Sequence, residues 1–295
     1  AVERQEPAGE AKSPAPEGII WSASLEEALK TAKAEGKLVF VEFQAAWCPY
    51  CRLFESRTLS DAKVKAELRN FVNLRVDTDK DRAVAQKYHV EPIPALLVLD
   101  CEGKSLGEAV GFRPADAFLD LLAYGSAQAK LSANAKDAEA AYTAAVKSHA
   151  AMVKGQERLA LANAALGLVA KDDGEKRGRL LLVRADAALS LEKPDFVATG
   201  KDIDEAKALD PVNALGVKEE ADWLLVKLNL MKSQGQDEAT RMAELGKAAD
   251  KFLADYPVGK VRNQALRNDA LRVKYRLAMN KRDSAAAAAA ILEQY

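Results

Sequence analysis

Apolar residues in the first third of the chain recur at two periods, and the switches between them mark out elements. After Ser24 they fall at Leu25, Ala28, Leu29 and Ala32, the spacing of one helix face, and Gly36 supplies a stop. Ser24 and Glu27 stand in the relation of a capping box. Leu38-Val-Phe-Val-Glu-Phe43 is almost continuously apolar and rich in β-formers, as in a strand covered on both faces. The pattern then predicts a helix from Pro49 to about Glu55, a second from a Ser60 cap through Leu68, a strand over 71–76 and a helix over 81–88. The runs 95–99 and 105–110 flank the turn Glu102-Gly103 and read as a hairpin. A last helix is expected to begin after Pro114 and end near Gly125. This order is a one-domain α/β unit over residues 19–125.

The pattern changes on both sides of that unit. Residues 1–18 hold Pro, Ala, Glu and Gly and almost no large apolar side chain, so they read as a flexible leader. Residues 126–295 show no β-rich run. Helical stretches there are separated by turn signals at Gly155, Asp172-Asp173-Gly174, Lys193-Pro194, Asp210-Pro211, Gly235, Tyr256-Pro257 and about Asn280. Roughly eight helices result, pairing naturally as antiparallel hairpins. The stretch Arg184–Pro211, with small Ala187 and Ala206 and the ending Ala-Leu-Asp-Pro, resembles a tetratricopeptide (TPR) unit. Pro211 and Pro257 lie about 46 residues apart, not the ~34 of that family, so the repeat is irregular. The expectation is an all-α, TPR-like domain over 126–295. Asp172-Asp173 and Glu219-Glu220 read there as solvated charges, and Trp223 as core.

Composition narrows the function classes. Lys and Arg number 43 against 44 Asp and Glu, a balance that argues against a nucleic-acid protein or a polybasic membrane binder. No apolar run reaches the ~18–20 residues that span a bilayer. The three cysteines, Cys48, Cys51 and Cys101, are too few for a disulfide-scaffolded fold. The first residue is Ala1 rather than Met, from which a removed secretory signal is expected.

The chemistry gathers in Trp47-Cys48-Pro49-Tyr50-Cys51, directly after the buried strand and at the start of a helix. A helix N-terminus favours the Cys48 thiolate, the attacking species, and Cys51 one turn deeper would resolve the mixed disulfide. Pro49 suits a first helical turn. Two other readings compete: half of a zinc site, though His89 and His149 fit no ligand spacing, and an inert structural disulfide. Cys101, at the tip of the hairpin, reads as a partly buried bystander.

With these residues, 19–125 resembles a thioredoxin-fold domain. The motif Cys-x-x-Cys near a βαβ pattern is itself thioredoxin-like. Trp47 precedes the first cysteine as in thioredoxins, Glu42 stands where they carry a buried acid, and Ile93-Pro94 matches their cis-proline loop. Within the family, Cys51-Arg-Leu-Phe-Glu-Ser-Arg-Thr-Leu-Ser-Asp-Ala-Lys-Val64 and Leu74-Arg-Val-Asp-Thr-Asp79 are most similar to the periplasmic C-terminal domain of bacterial transmembrane disulfide reductases. The Pro-Tyr pair between the cysteines departs from the thioredoxin Gly-Pro and matches glutaredoxins, which leaves the direction of electron flow open.

The resemblance implies a thiol–disulfide oxidoreductase of protein substrates. Cys48, Cys51 and Glu42 would be catalytic, with Glu42 moving a proton, and Trp47, Pro49, Tyr50, Ile93 and Pro94 would contact substrate. Arg75 stands where thioredoxins often place a lysine near the buried acid. A solvated strand-end charge is the equal alternative. No cofactor beyond the cysteine pair and no metal is expected. Partners would be protein thiols and disulfides and an upstream electron donor or acceptor, with the helical half binding a partner or a second copy. Location would be periplasmic or secreted. A disulfide isomerase or oxidase, and a non-catalytic adaptor built on the helical array, are the rival readings.

Overall fold

The computed structural model describes residues 18–293, so the expected leader lies, apart from Gly18, outside the described residues. The chain divides into two compact units, with the division between Val153 and Lys154.

The first unit is built on a mixed sheet. Its elements are β1 (Trp21–Ser22), α1 (Leu25–Glu35), β2 (Leu38–Gln44), α2 (Pro49–Phe54), α3 (Ala62–Glu67), β3 (Phe71–Asp77), α4 (Arg82–Lys87), β4 (Ala95–Leu99), β5 (Ser105–Val110), α5 (Ala115–Ala133) and α6 (Ala138–Lys147). The strand order is β1-β3-β2-β4-β5. β3 runs parallel to β1 and β2, whereas β4 runs antiparallel to β2 and β5. β2 is central and buried throughout its middle, which is why its sequence shows no alternation. Its side chains still divide by parity. Val39, Val41 and Phe43 pack with Ala28, Ala32 and Ala85 from α1 and α4. Phe40 faces the opposite side, where it meets Phe118 of α5 at 4.9 Å, and Phe118 meets Phe54 of α2 at 5.2 Å. Glu42 shares that second face.

Three local differences from the sequence expectation have physical causes. The helix begun at Pro49 continues through a π-helical turn, Glu55–Leu59. The next helix is accordingly capped one residue later than Ser60, by Asp61, which accepts from the backbones of Lys63 and Val64. β1 has two residues, too few to leave a period in the sequence. Gly125, finally, does not end α5. A Cβ there would lie 2.5 Å from Val98 Cγ1, so the glycine lets the helix rest directly on β4, and the helix continues to Ala133. The boundary expected at 125 falls inside this helix, and α6 belongs with the first unit.

The second unit is a succession of helices, each packed on the next: α7 (Gly155–Leu168), α8 (Gly174–Leu189), α9 (Phe196–Leu209), α10 (Val217–Lys232), α11 (Glu238–Asp255), α12 (Gln264–Asn280) and α13 (Ser284–Leu292). Leu181, Ile203, Val217 and Ala221 form one core, and Ala249, Phe252, Tyr256 and Ala270 another, with Trp223 packed 5.1 Å from Phe252. No helix among the described residues is long and apolar enough to cross a membrane.

One expectation in this unit is overturned. Glu219 is not a solvated charge but fully buried. Its carboxylate accepts from the backbone N–H groups of Arg262 and Asn263 and from Asn213 Nδ2, so it pins the loop entering α12 to the start of α10. Burial without such partners would be prohibitive. Asp210 acts similarly, accepting from the backbones of Leu215 and Val217 at 3.1 and 3.0 Å.

Candidate active site

The cysteine pair sits where β2 hands the chain to α2. Cys48 is the N-cap of α2, Pro49 occupies its first turn, and Cys48 Sγ accepts from the Cys51 backbone N–H at 3.1 Å. The helix thus offers the sulfur a donor that needs no partner within the helix. The two cysteines form a disulfide, with Cα atoms 5.3 Å apart. Both are nearly covered, Cys48 at 2% exposure and Cys51 at 4%.

Antiparallel pairing brings a second segment to the same end of the sheet. Phe43 near the end of β2 pairs with Ala95 at the start of β4, so the residues just before β4 come to lie beside the motif. The Ile93–Pro94 peptide is cis, and the Ile93 carbonyl oxygen is 3.7 Å from Cys48 Sγ. Around the covered sulfurs stand two exposed aromatics, Trp47 at 65% and Tyr50 at 62%. Trp47 does not lie over the disulfide as a free lid, because its Nε1 donates to Asp79 Oδ2 at 3.0 Å. Arg52 Nη1 donates to the Ala46 carbonyl at 2.8 Å and ties down the loop before the motif.

Glu42 is 1% exposed. It stands opposite Arg75 in the β2–β3 register, and Arg75 Nε donates to Glu42 Oε2 at 2.9 Å. Of the two readings of Arg75, the pairing with the buried acid is the one realised. The same guanidinium reaches Glu55 Oε1 at 3.2 Å through Nη1 and lies over the Trp21 ring at 4.5 Å. Burial pushes the Glu42 carboxyl up from 4.5 to about 7, against the opposing charge and hydrogen bond of Arg75.

This raised carboxyl makes stability depend on pH. Between 4.5 and about 7 the folded chain holds a proton that the unfolded chain has released, so stability falls as pH rises through that window and is level above it. The contribution is about 3 kcal/mol. Glu42→Gln should flatten that slope in urea titrations taken from pH 4 to 8. An unchanged slope would place the titrating group elsewhere.

The candidates named from the sequence, Cys48, Cys51, Trp47, Pro49, Tyr50, Ile93, Pro94 and Glu42, come together at or beneath one end of the sheet. Sequence reasoning missed Glu55, Asp79 and Trp21. Glu55 stands one helical turn beyond Cys51, a spacing that could have flagged it. Cys101 lies beyond the far end of β4, separated from Pro94 by that strand, about 16 Å of extended chain. It is free, and its Sγ donates to Glu102 Oε2 at 3.0 Å, which raises its thiol pKa.

Comparison with known proteins agrees with this geometry. Residues 25–126 match the thioredoxin-like domain family. The thiol:disulfide interchange protein DsbD of Ralstonia nicotianae is 36% identical over 117 residues, 37% of this chain and 19% of that protein. Its namesake from Colwellia psychrerythraea is 36% identical over 104 residues, 32% of this chain and 17% of that protein. The chain therefore spans less than a fifth of the length of these relatives. The oxidised DsbD C-terminal domain of Neisseria meningitidis is 26% identical, covering 35% of this chain and 94% of that one, with a TM-score of 0.30. Residues 25–126 are a thioredoxin-like domain, in which Cys48 caps the helix that carries Cys51.

Proposed function

We propose that the chain reduces disulfides in protein substrates. The observation that carries this reading is the Cys48–Cys51 disulfide at a helix N-terminus, with the Ile93 carbonyl beside it. In the reduced chain the Cys48 thiolate attacks one sulfur of a substrate disulfide. That bond breaks, a Cys48–substrate disulfide forms and one substrate thiolate leaves. Cys51 then loses its proton and attacks Cys48 Sγ. The second substrate thiolate leaves, and the Cys48–Cys51 disulfide remains with two electrons passed on.

Glu42 is the group that takes the Cys51 proton in this reading. A carboxyl held near 7 can both accept and release a proton at neutral pH. Trp47, Pro49 and Tyr50 on one side and Ile93 and Pro94 on the other would hold the substrate segment, the Ile93 backbone pairing with it in extended form. An upstream thiol donor would restore the dithiol. The helical unit would bind protein partners or a second copy. We assign the activity to the periplasm or the cell exterior, where protein disulfides persist and a reductant has work.

The test is turnover of a disulfide-bonded protein. The reduced full chain should cleave the interchain disulfides of insulin, and a chain unable to do so would sink the reading. Equilibration with glutathione then fixes direction: a potential near about −270 mV fits a reductant, and one near about −120 mV would make the protein an oxidant.

A further inference from the structure

A cavity of about 490 Å³ opens between α10 and α11 in the helical unit. Its size lies within the range of small-molecule sites. Most of its wall is apolar, formed by side chains such as Leu225 of α10 and Leu245 and Phe252 of α11, and Ala248 contributes only a methyl group there. Polar groups converge at one end. Asp222 accepts from Lys207 of α9, from Lys218 at 3.0 Å and from Tyr256 Oη at 2.6 Å, and Lys218 also donates to Tyr256 Oη at 2.9 Å.

The charges at that end do not cancel. Burial raises the Asp222 carboxyl, but the donations from Lys207, Tyr256 and Lys218 outweigh it and hold the group below its usual range. Burial and the adjoining Asp222 push the Tyr256 hydroxyl well above its usual range. At neutral pH two ammonium groups therefore share one carboxylate beside a neutral phenol, an excess of one positive charge. Each ammonium has three N–H donors. Lys207 uses one on Asp222, and Lys218 uses one on Asp222 and one on Tyr256, so three remain to be filled. Elsewhere on the wall Lys251 bonds Asp255, and the exposed Glu244 of α11, about 12 Å along that helix from Phe252, adds a further carboxylate. From Asp222 the cavity follows α10 to Asn229, about 10 Å along the helix and the reach of an extended chain of about eight carbons.

We propose that this cavity binds an amphipathic carboxylate of the medium-chain fatty-acid class, with the anionic head at Lys207 and Lys218 and the alkyl chain between α10 and α11. The head fills the remaining ammonium donors with charge-assisted hydrogen bonds. The chain gives the apolar wall the contacts that an empty cavity lacks.

Calorimetric titration of the full chain with sodium decanoate, decanol and decyltrimethylammonium, all below their aggregation limits, tests this. Decanoate should saturate at one per chain and bind at least about tenfold more tightly than the other two. Lys207→Met and Lys218→Met should each weaken decanoate about tenfold and leave decanol unchanged. Ala248→Trp, which fills the cavity, should abolish binding of decanoate while the melting curve shows the fold retained. Equal binding of the three probes to the unmodified chain would overturn the proposal, since that comparison requires no variant to fold. So would decanoate binding that ignores both lysine changes, or the absence of any saturable binding.

Discussion

Cys48→Ser in the full chain should lower insulin reduction by about a thousandfold or more, to the background of free thiol exchange. The size of the effect follows from the architecture. Cys48 is the N-cap sulfur that receives the Cys51 N–H, Cys51 itself lies one turn deeper in the helix, and Cys101 lies beyond the other end of β4. A serine hydroxyl can keep the cap, so the helix should remain while the chemistry goes. Cys51→Ser makes the complementary case. It leaves the attacking thiol and removes the group that resolves it, so mixed disulfides with substrate should accumulate and survive non-reducing electrophoresis. Mass spectrometry of those adducts would name the substrates. If Cys48→Ser retained turnover and Cys51→Ser trapped nothing, the domain would be a docking module and the helical array the working part. In the active chain, Glu42→Gln should also remove the inflection near 7 from the rate–pH profile.

Glu219→Ala should cost the helical unit about 3 kcal/mol and lower its melting midpoint by roughly 10 °C. The loss exceeds that of a surface ion pair because the partners are backbone groups. The N–H groups of Arg262 and Asn263 would be left without their acceptor at a loop that must be fixed for α12 to start where it does. Neighbouring Glu220 is the control. It is more exposed and meets Arg179 only at 3.4 Å, so Glu220→Ala should cost about 1 kcal/mol or less. Denaturant unfolding followed by Trp223 fluorescence would separate the two. Equal effects would refute the assignment of Glu219 as the anchor.

The contrast between these two sites shows what the chain reveals before folding. The cysteine pair is legible because everything that activates it is local: an apolar strand, a helix start, a proline in its first turn. The burial of Glu42 is legible from Val41 and Phe43 on either side. Its pairing with Arg75 is legible only through the family resemblance, as one of two equal readings, because it depends on the β2–β3 register, which no residue in either strand announces. Glu55 had a helical spacing from Cys51, but nothing in the sequence ties it to Arg75, which it meets across from β3. Glu219 is harder still. Besides Asn213, its partners are backbone amides more than forty residues downstream, and backbone groups leave no mark in a sequence. Gly125 misleads because one residue type serves two ends, stopping helices and letting them approach a sheet.

That close approach at Gly125 bears on where the chain can be divided. The segment that matches the thioredoxin-like family ends at residue 126, midway along a helix that runs to Ala133 and on which α6 then packs. The matched segment and the compact unit therefore have different borders in this chain. A fragment ended at residue 126 would sever a helix whose next turn buries Ala127, whereas a cut after Val153 leaves every helix whole and each compact unit intact.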